Sequence, residues 1–162
     1  MAVDMFLDIK GDIKGESTDK AHPDTIDVLA WSWGMTQSGS FHMGAGGGAG
    51  KVSIQDISVT KYVDSASPIL MKFCSNGKHF DEATLIVRKA GGESPLEYLK
   101  IKMNKVIISS VSTGGSGGED RLTENISLNF AQVEVAYTPQ LADGSGGGEI
   151  PFTWDIEANT EI

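Results

Sequence analysis

Apolar and polar residues alternate with a period of two along most of this chain, and that alternation restricts the fold more than any other feature. In "AVDMFLDI", Val3, Met5, Leu7 and Ile9 share one phase, with Asp4 and Asp8 on the other; in "PFTWDIE", Phe152, Trp154 and Ile156 oppose Thr153 and Asp155. Side chains of an extended strand point alternately to two faces, so the pattern predicts half-buried strands. "ENISLNFAQVEVAYTP" sets Ile126, Leu128 and Phe130 on one phase, then Ala131, Val133, Val135 and Tyr137 on the other. This predicts a β-bulge near Phe130, with Pro139 closing the strand. "IDVLAWSWGM", "TLIVRKA", "EYLKIKM" and "KVIISSV" add strand candidates rich in β-branched and aromatic residues. The expected class is mainly β, and 162 residues suit one domain, 1–162, with its own core.

One segment departs from the pattern. "DSASPILMKFCSNGKHF" offers Ser67 as N-cap, Pro68 at the first helical position and Gly77 as a left-handed stop. Ile69, Leu70, Phe73 and Cys74 then share one helical face, so a single short helix is expected across one end or side of a β-barrel or sandwich. Glycine tracts at Gly44–Gly50, Gly114–Gly118 and Gly144–Gly148 lie between strand candidates and read as loops. The tandem "DIKGDIKG" is too short for a repeat architecture and reads as a local duplication.

Charge excludes several classes of partner. A net charge of −9 removes the counterion-release attraction behind most nucleic-acid binding and repels an anionic membrane surface. No apolar run has the length of a membrane span, so no membrane insertion is expected. The N-terminal "MAVDMFLDIK" meets an aspartate at its fourth residue and lacks a basic region and a long apolar core, so any export is expected to proceed without a cleaved signal peptide. Cys74 is the single cysteine, which leaves no intrachain disulfide framework.

Few residues carry a chemical signal. "HMGAGGGAGKVS" invites a phosphate-loop reading around Lys51, but such a loop needs glycine where Ala45 stands, a hydroxyl where Val52 stands and a helix after the lysine. "GGSGG" gives Ser116 the spacing of a hydrolase nucleophile, yet the chain runs on towards another strand. His22, His42 and His79 lack partners at zinc spacing, and Asp8, Asp12, Glu16 and Asp19 lack the order of a calcium loop and read as a solvated face. No catalytic residue, metal or cofactor is expected. Trp31 and Trp33, in phase with Leu29 and Met35, are expected in the core; Ser32 then faces the other way with Ile26, Val28 and Ala30. "KVIISSV" is apolar in both phases, which suggests that another copy of the chain hides part of its surface.

"GESTDKAHPDTIDVLAWSWGMTQSGS", "SPILMKFCSNGKHF" and "ISSVSTGGSGGEDRLTENISLNFAQVEVAYTPQ", followed by Trp154, Ile156 and Asn159, together resemble the haemolysin-coregulated protein family, the tube protein of type VI secretion. The resemblance runs in order over nearly the whole chain. It implies a compact β-barrel of two sheets with one short helix, forming hexameric rings that stack head to tail. It further implies a contractile sheath and a spike protein as partners, small effector proteins carried in the channel, and assembly in the cytoplasm before release outside the cell. On this resemblance Ser32 is expected to face the lumen, and the loop with His42, Gly46, Gly47, Gly48 and Lys51 to join subunits and rings, Lys51 meeting an acidic neighbour. A hydrolase using Ser116 and a sugar-binding β-sandwich using Trp31 and Trp33 are the rival classes.

Overall fold

The computed structural model describes residues 3–39, 50–89 and 94–162. Its elements are β1 (Val3–Ile9), β2 (Ile26–Ser32), β3 (Met35–Thr36), β4 (Ser53–Ile54), β5 (Ile57–Tyr62), α1 (Ser67–Asn76), β6 (His79–Lys89), β7 (Glu97–Gly114), β8 (Thr123–Tyr137) and β9 (Ile150–Asp155). Antiparallel pairing runs in the order β5-β2-β1-β6-β7-β8, and β5 also pairs with β8, so six strands close into a barrel. Closure sets the inward phases of the strands against one another: Leu7, Ile26, Val59, Leu85, Ile101, Met103, Ile126 and Leu128 belong to one buried cluster. Each such side chain contributes about 1.5–3 kcal/mol over its exposed state. β9 extends the sheet along the second half of β8, and β3 and β4 form a separate ribbon.

The helix packs on β7 and adds Leu70 and Phe73 to this core, with Ile69 and Cys74 against it. Phe73 meets Phe80 edge-on at 5.2 Å between ring centroids. Gly77 ends the helix at φ 70°, its N–H reaching the Phe73 carbonyl, as expected. The start differs from expectation: Ala66 occupies the N-cap and Ser67 is already helical. Asp64 takes over the capping chemistry, its Oδ1 accepting the Ala66 N–H at 3.0 Å. That frees the Ser67 hydroxyl to turn into the barrel, where it donates to Glu124 Oε1 at 2.5 Å.

Two phase changes shape the sheet. On β2 the register with β5 shifts between Val28 and Ala30, so an extra residue swaps the faces. Ile26 and Val28 are buried, Leu29 is exposed, and Trp31 and Trp33 pack on the core. Leu29 and Met35 therefore do not share the tryptophans' environment, contrary to the simple alternation. "EYLKIKM" and "KVIISSV" are two halves of one 18-residue strand, β7. Between them Lys105 adopts φ 55°, and the inward phase passes from Met103 to Val106. β8 switches at the same level, from Phe130 to Val133, so both strands change together and the pairs Asn104↔Gln132 and Val106↔Phe130 stay in one register. The register shift lies further along, between Ile108 and Ser110 on β7, rather than at Phe130.

The two "DIKG" copies have different jobs. Gly11 sits at φ 124°, a left-handed conformation, whereas a Cβ on Gly15 would lie 2.4 Å from the Thr25 carbonyl oxygen. The segment they begin is strapped down by Arg88. Its guanidinium donates to both oxygens of Asp19, at 3.0 and 2.5 Å, and to Asp4 at 3.0 Å, while its carbon lies 5.0 Å from the centre of the Phe6 ring. Asp19 is thus an ion-pair partner, not part of a solvated acidic face.

Candidate functional site

β2, β5, the first half of β8 and the second half of β7 lie side by side, and their outward phases form continuous rows. The backbone register aligns Ser32 with Ser58, Ser58 with Ser127 and Ser127 with Ser110. The next row runs Ala30, Thr60, Asn125, Ser112. Behind them Trp31, Val59, Ile126 and Ile108 belong to the core or pack on it. Ser32 is exposed and faces away from the tryptophans, as the alternation requires. Thr60 Oγ1 donates to Asn125 Oδ1 at 2.6 Å, and Asp56 closes one end of the face by accepting from Ser109 and Asn129 at 2.7 and 2.8 Å.

None of the eight row positions carries a charge. The outward face of β6, the first half of β7, the second half of β8 and β9 is different. It pairs Glu82 with Asn104, Asn104 with Gln132 and Gln132 with Asp155, then Thr84 with Lys102, Lys102 with Glu134 and Glu134 with Thr153. Lys102 lies 3.8 and 3.9 Å from Glu82 and Glu134. One barrel thus presents a hydroxyl face and a charged face. The hydroxyl face also has two edges without a strand partner among the described residues: past the last β1 pair at Asp27, β2 pairs there only with β5, and beyond Ile107, β7 pairs there only with β8.

The other sequence-derived candidates scatter. His42, Gly46, Gly47 and Gly48 lie outside the described residues. Lys51 is exposed and precedes strand β4, not a helix, which removes the phosphate-loop context. It lines a cleft of about 450 Å3 with His79, Lys105, Asp56 and Glu157. Ser116 lies in the β7–β8 connection beside Glu119, and the residues lining its cleft include no histidine to act as base. Trp33 donates to the Gln55 carbonyl at 2.9 Å and packs near Phe130, so the tryptophans form no exposed sugar platform. His22 sits 2.5 Å from Glu97, whose carboxyl is held below its usual pKa by hydrogen bonds from His22 and Lys100, against the opposing effect of burial.

Sequence reading missed the most buried polar cluster. Lys61, on β5, places Nζ 2.5 Å from Glu124 Oε1, 2.8 Å from Asp64 Oδ1 and 3.1 Å from Ser67 Oγ. Lys61, Ser67 and Glu124 are fully enclosed. The signal was present: Lys61 shares its phase with Ile57 and Val59, and Glu124 with Ile126 and Leu128.

Residues 6–137 match the family model described as "Type VI secretion system effector, Hcp". The chain is also 64% identical to Protein hcp1 of Pseudomonas aeruginosa over 162 residues, 99% of each chain. It belongs to the Hcp family. Solved Hcp structures share the fold. Hcp1 from Salmonella typhimurium superposes with a TM-score of 0.83 at 42% identity, covering 100% of both chains. Another type six secretion system protein gives a TM-score of 0.92 at 30% identity over 99% of this chain and 100% of its own. The chain is therefore a tube protein of the type VI secretion system, a structural component of that machine, and the sugar-binding and hydrolase readings are not favoured.

Proposed function

We propose that six copies close into a ring whose channel is paved by the hydroxyl face, and that rings stack head to tail into a tube. The observation that carries this reading is the uncharged face of Ala30, Ser32, Ser58, Thr60, Asn125, Ser127, Ser110 and Ser112, flanked by two sheet edges that have no strand partner among the described residues. Unpaired edges invite uncontrolled strand addition. Pairing the β2 edge of one copy with the β7 edge of the next removes both, and such a heterologous contact closes into a ring. The core-facing phase of β8 and β9 also runs out beyond the barrel, leaving Tyr137, Phe152 and Ile150 44%, 38% and 60% exposed for a neighbour to cover. Lys51 and the segment with His42, Gly46, Gly47 and Gly48 join ring to ring, Lys51 meeting an acidic neighbour. A contractile sheath supplies the work, a spike protein leads, and small effector proteins travel in the channel. Assembly takes place in the cytoplasm, before export.

Short hydroxyls leave room for cargo and offer donors and acceptors without imposing a charge. Ser32→Gln lengthens that side chain in every copy at one height of the channel, on the side away from the core. Its rings are expected to stay intact by size and by negative-stain microscopy, while co-purification of a channel-borne effector falls about tenfold or more. Intact Ser32→Gln rings that retain the effector like the wild type, or a variant subunit that unfolds, would contradict the lumen assignment.

A further inference from the structure

We propose that Lys61 and Glu124 are positioning residues: their buried ion pair sets the register in which β5 meets β8, and thereby aligns the two halves of the serine row. Five of the six pairings that close the barrel are not this seam, and it has no hairpin to set it, because β5 and β8 are separated in the chain by α1, β6 and β7. Alternation cannot set it either. A slip of one residue would turn the core outward, but a slip of two keeps every side chain on its own face.

The alternative register is otherwise acceptable. Natively Ile57 faces Leu128, Val59 faces Ile126 and Lys61 faces Glu124. Shifted by two, Ile57 would face Phe130 and Val59 would face Leu128, apolar against apolar. On the outer side Ser58 would meet Asn129, Thr60 would meet Ser127 and Tyr62 would meet Asn125, all uncharged polar matches. The penalty falls on two residues: Lys61 would be buried against Ile126 and Glu124 against Val63. Buried charges without partners are strongly disfavoured, and a single buried polar pair is an attested way to specify register. In the native register Lys61 is further held by Asp64 and Ser67 at the start of α1, which ties the seam to the helix.

The consequence for the channel rests on the ring reading; the register assignment does not. Ser32 and Ser58 lie on one side of the seam, Ser127 and Ser110 on the other, so a two-residue slip breaks the row in its middle.

Cysteine pairs across the seam report the register directly. In a full-length Cys74→Ser background, Ser58→Cys with Ser127→Cys reads the native alignment, and Ser58→Cys with Asn129→Cys reads the slipped one, with mass spectrometry selecting cross-links within one chain. With Lys61 and Glu124 in place, only the first pair is expected to oxidise. In Lys61→Met/Glu124→Leu, which removes both charges that face each other across the seam, the second pair is expected to cross-link in about a tenth or more of the chains. A structural role confined to stability would not move this readout. The proposal is overturned if the double variant folds and cross-links only through the 58–127 pair. It is equally overturned if the double variant does not fold, because apolar side chains of similar size keep the core filled. Neither result depends on whether rings form, so failure of the register lock and failure of the ring reading are separable.

Discussion

Replacing Glu124 with Leu is expected to cost about 3–5 kcal/mol of unfolding free energy, because it leaves the Lys61 ammonium enclosed without its nearest counter-charge. Lys61→Met should cost a similar amount by stranding Glu124, whose second oxygen has no partner among the described residues. The double variant Lys61→Met/Glu124→Leu is expected to recover about 2 kcal/mol or more relative to the sum of the singles, since members of one network do not act additively. Urea unfolding followed by circular dichroism, at one fixed protomer concentration so that assembly does not shift the midpoint, measures all three. A Glu124→Leu loss under about 1 kcal/mol, or a double variant as unstable as the summed singles, would show that the pair is not coupled in the way its geometry requires.

Arg88→Ala carries the second large effect. The side chain is buried, forks onto Asp19, holds Asp4 and covers the face of Phe6, so its removal releases the Gly11–Thr25 strap from its anchor and uncovers Phe6, while the two carboxylates keep access to solvent. The expected cost is about 1–3 kcal/mol, mainly from lost packing and the lost anchor. The wild type should also show a specific acid response. The hydrogen bond from Arg88 holds the Asp19 carboxyl down from its ordinary 3.8 to about 2, helped by the backbone N–H groups of Ala21 and His22 and opposed by desolvation. A depressed carboxyl contributes stability that is fully present above the unfolded pKa and is lost as pH falls through the folded one. The Asp19 contribution should therefore disappear between about pH 4 and pH 2. Arg88→Ala should flatten that part of the stability–pH curve. Equal slopes for variant and wild type across this window would remove Arg88 as the cause.

What the sequence disclosed, and what it hid, follows from the physics of alternation. Period two separates the faces of a strand, so the mainly β class, the outward direction of Ser32 and the inward direction of Trp31 and Trp33 were all readable. The bulge between Val28 and Ala30 was not: Leu29 and Ala30 are both apolar and leave no mark where the phase turns over. The junction at Asn104 likewise looked like a break between two strands, whereas the positive φ of Lys105 carries one long strand through a change of face. At the helix start Ser67 fits the N-cap preference, but Asp64 three residues earlier satisfies the end of the helix, and the hydroxyl is used inside the barrel instead. Which strands are neighbours is a tertiary fact. Without it, Lys61 and Glu124 are two charges in buried phases; with it, they are one pair across the closing seam.

The hydroxyl face has the same status. Its serines and threonine are spread from Ser32 to Ser127, in segments that each look like ordinary half-polar strands. Only the β2-β5-β8-β7 order gathers them and shows that no charge intervenes among these rows.

In the proposed assembly this sheet is completed by identical neighbours in a closed ring. Sedimentation velocity on dilute purified protein, with negative-stain images of the same sample, tests it most directly. One species of about six times the 17.2 kDa protomer mass is expected, with annular particles that have an open centre. A 17.2 kDa monomer at micromolar concentration, with no annuli in the images, would contradict it.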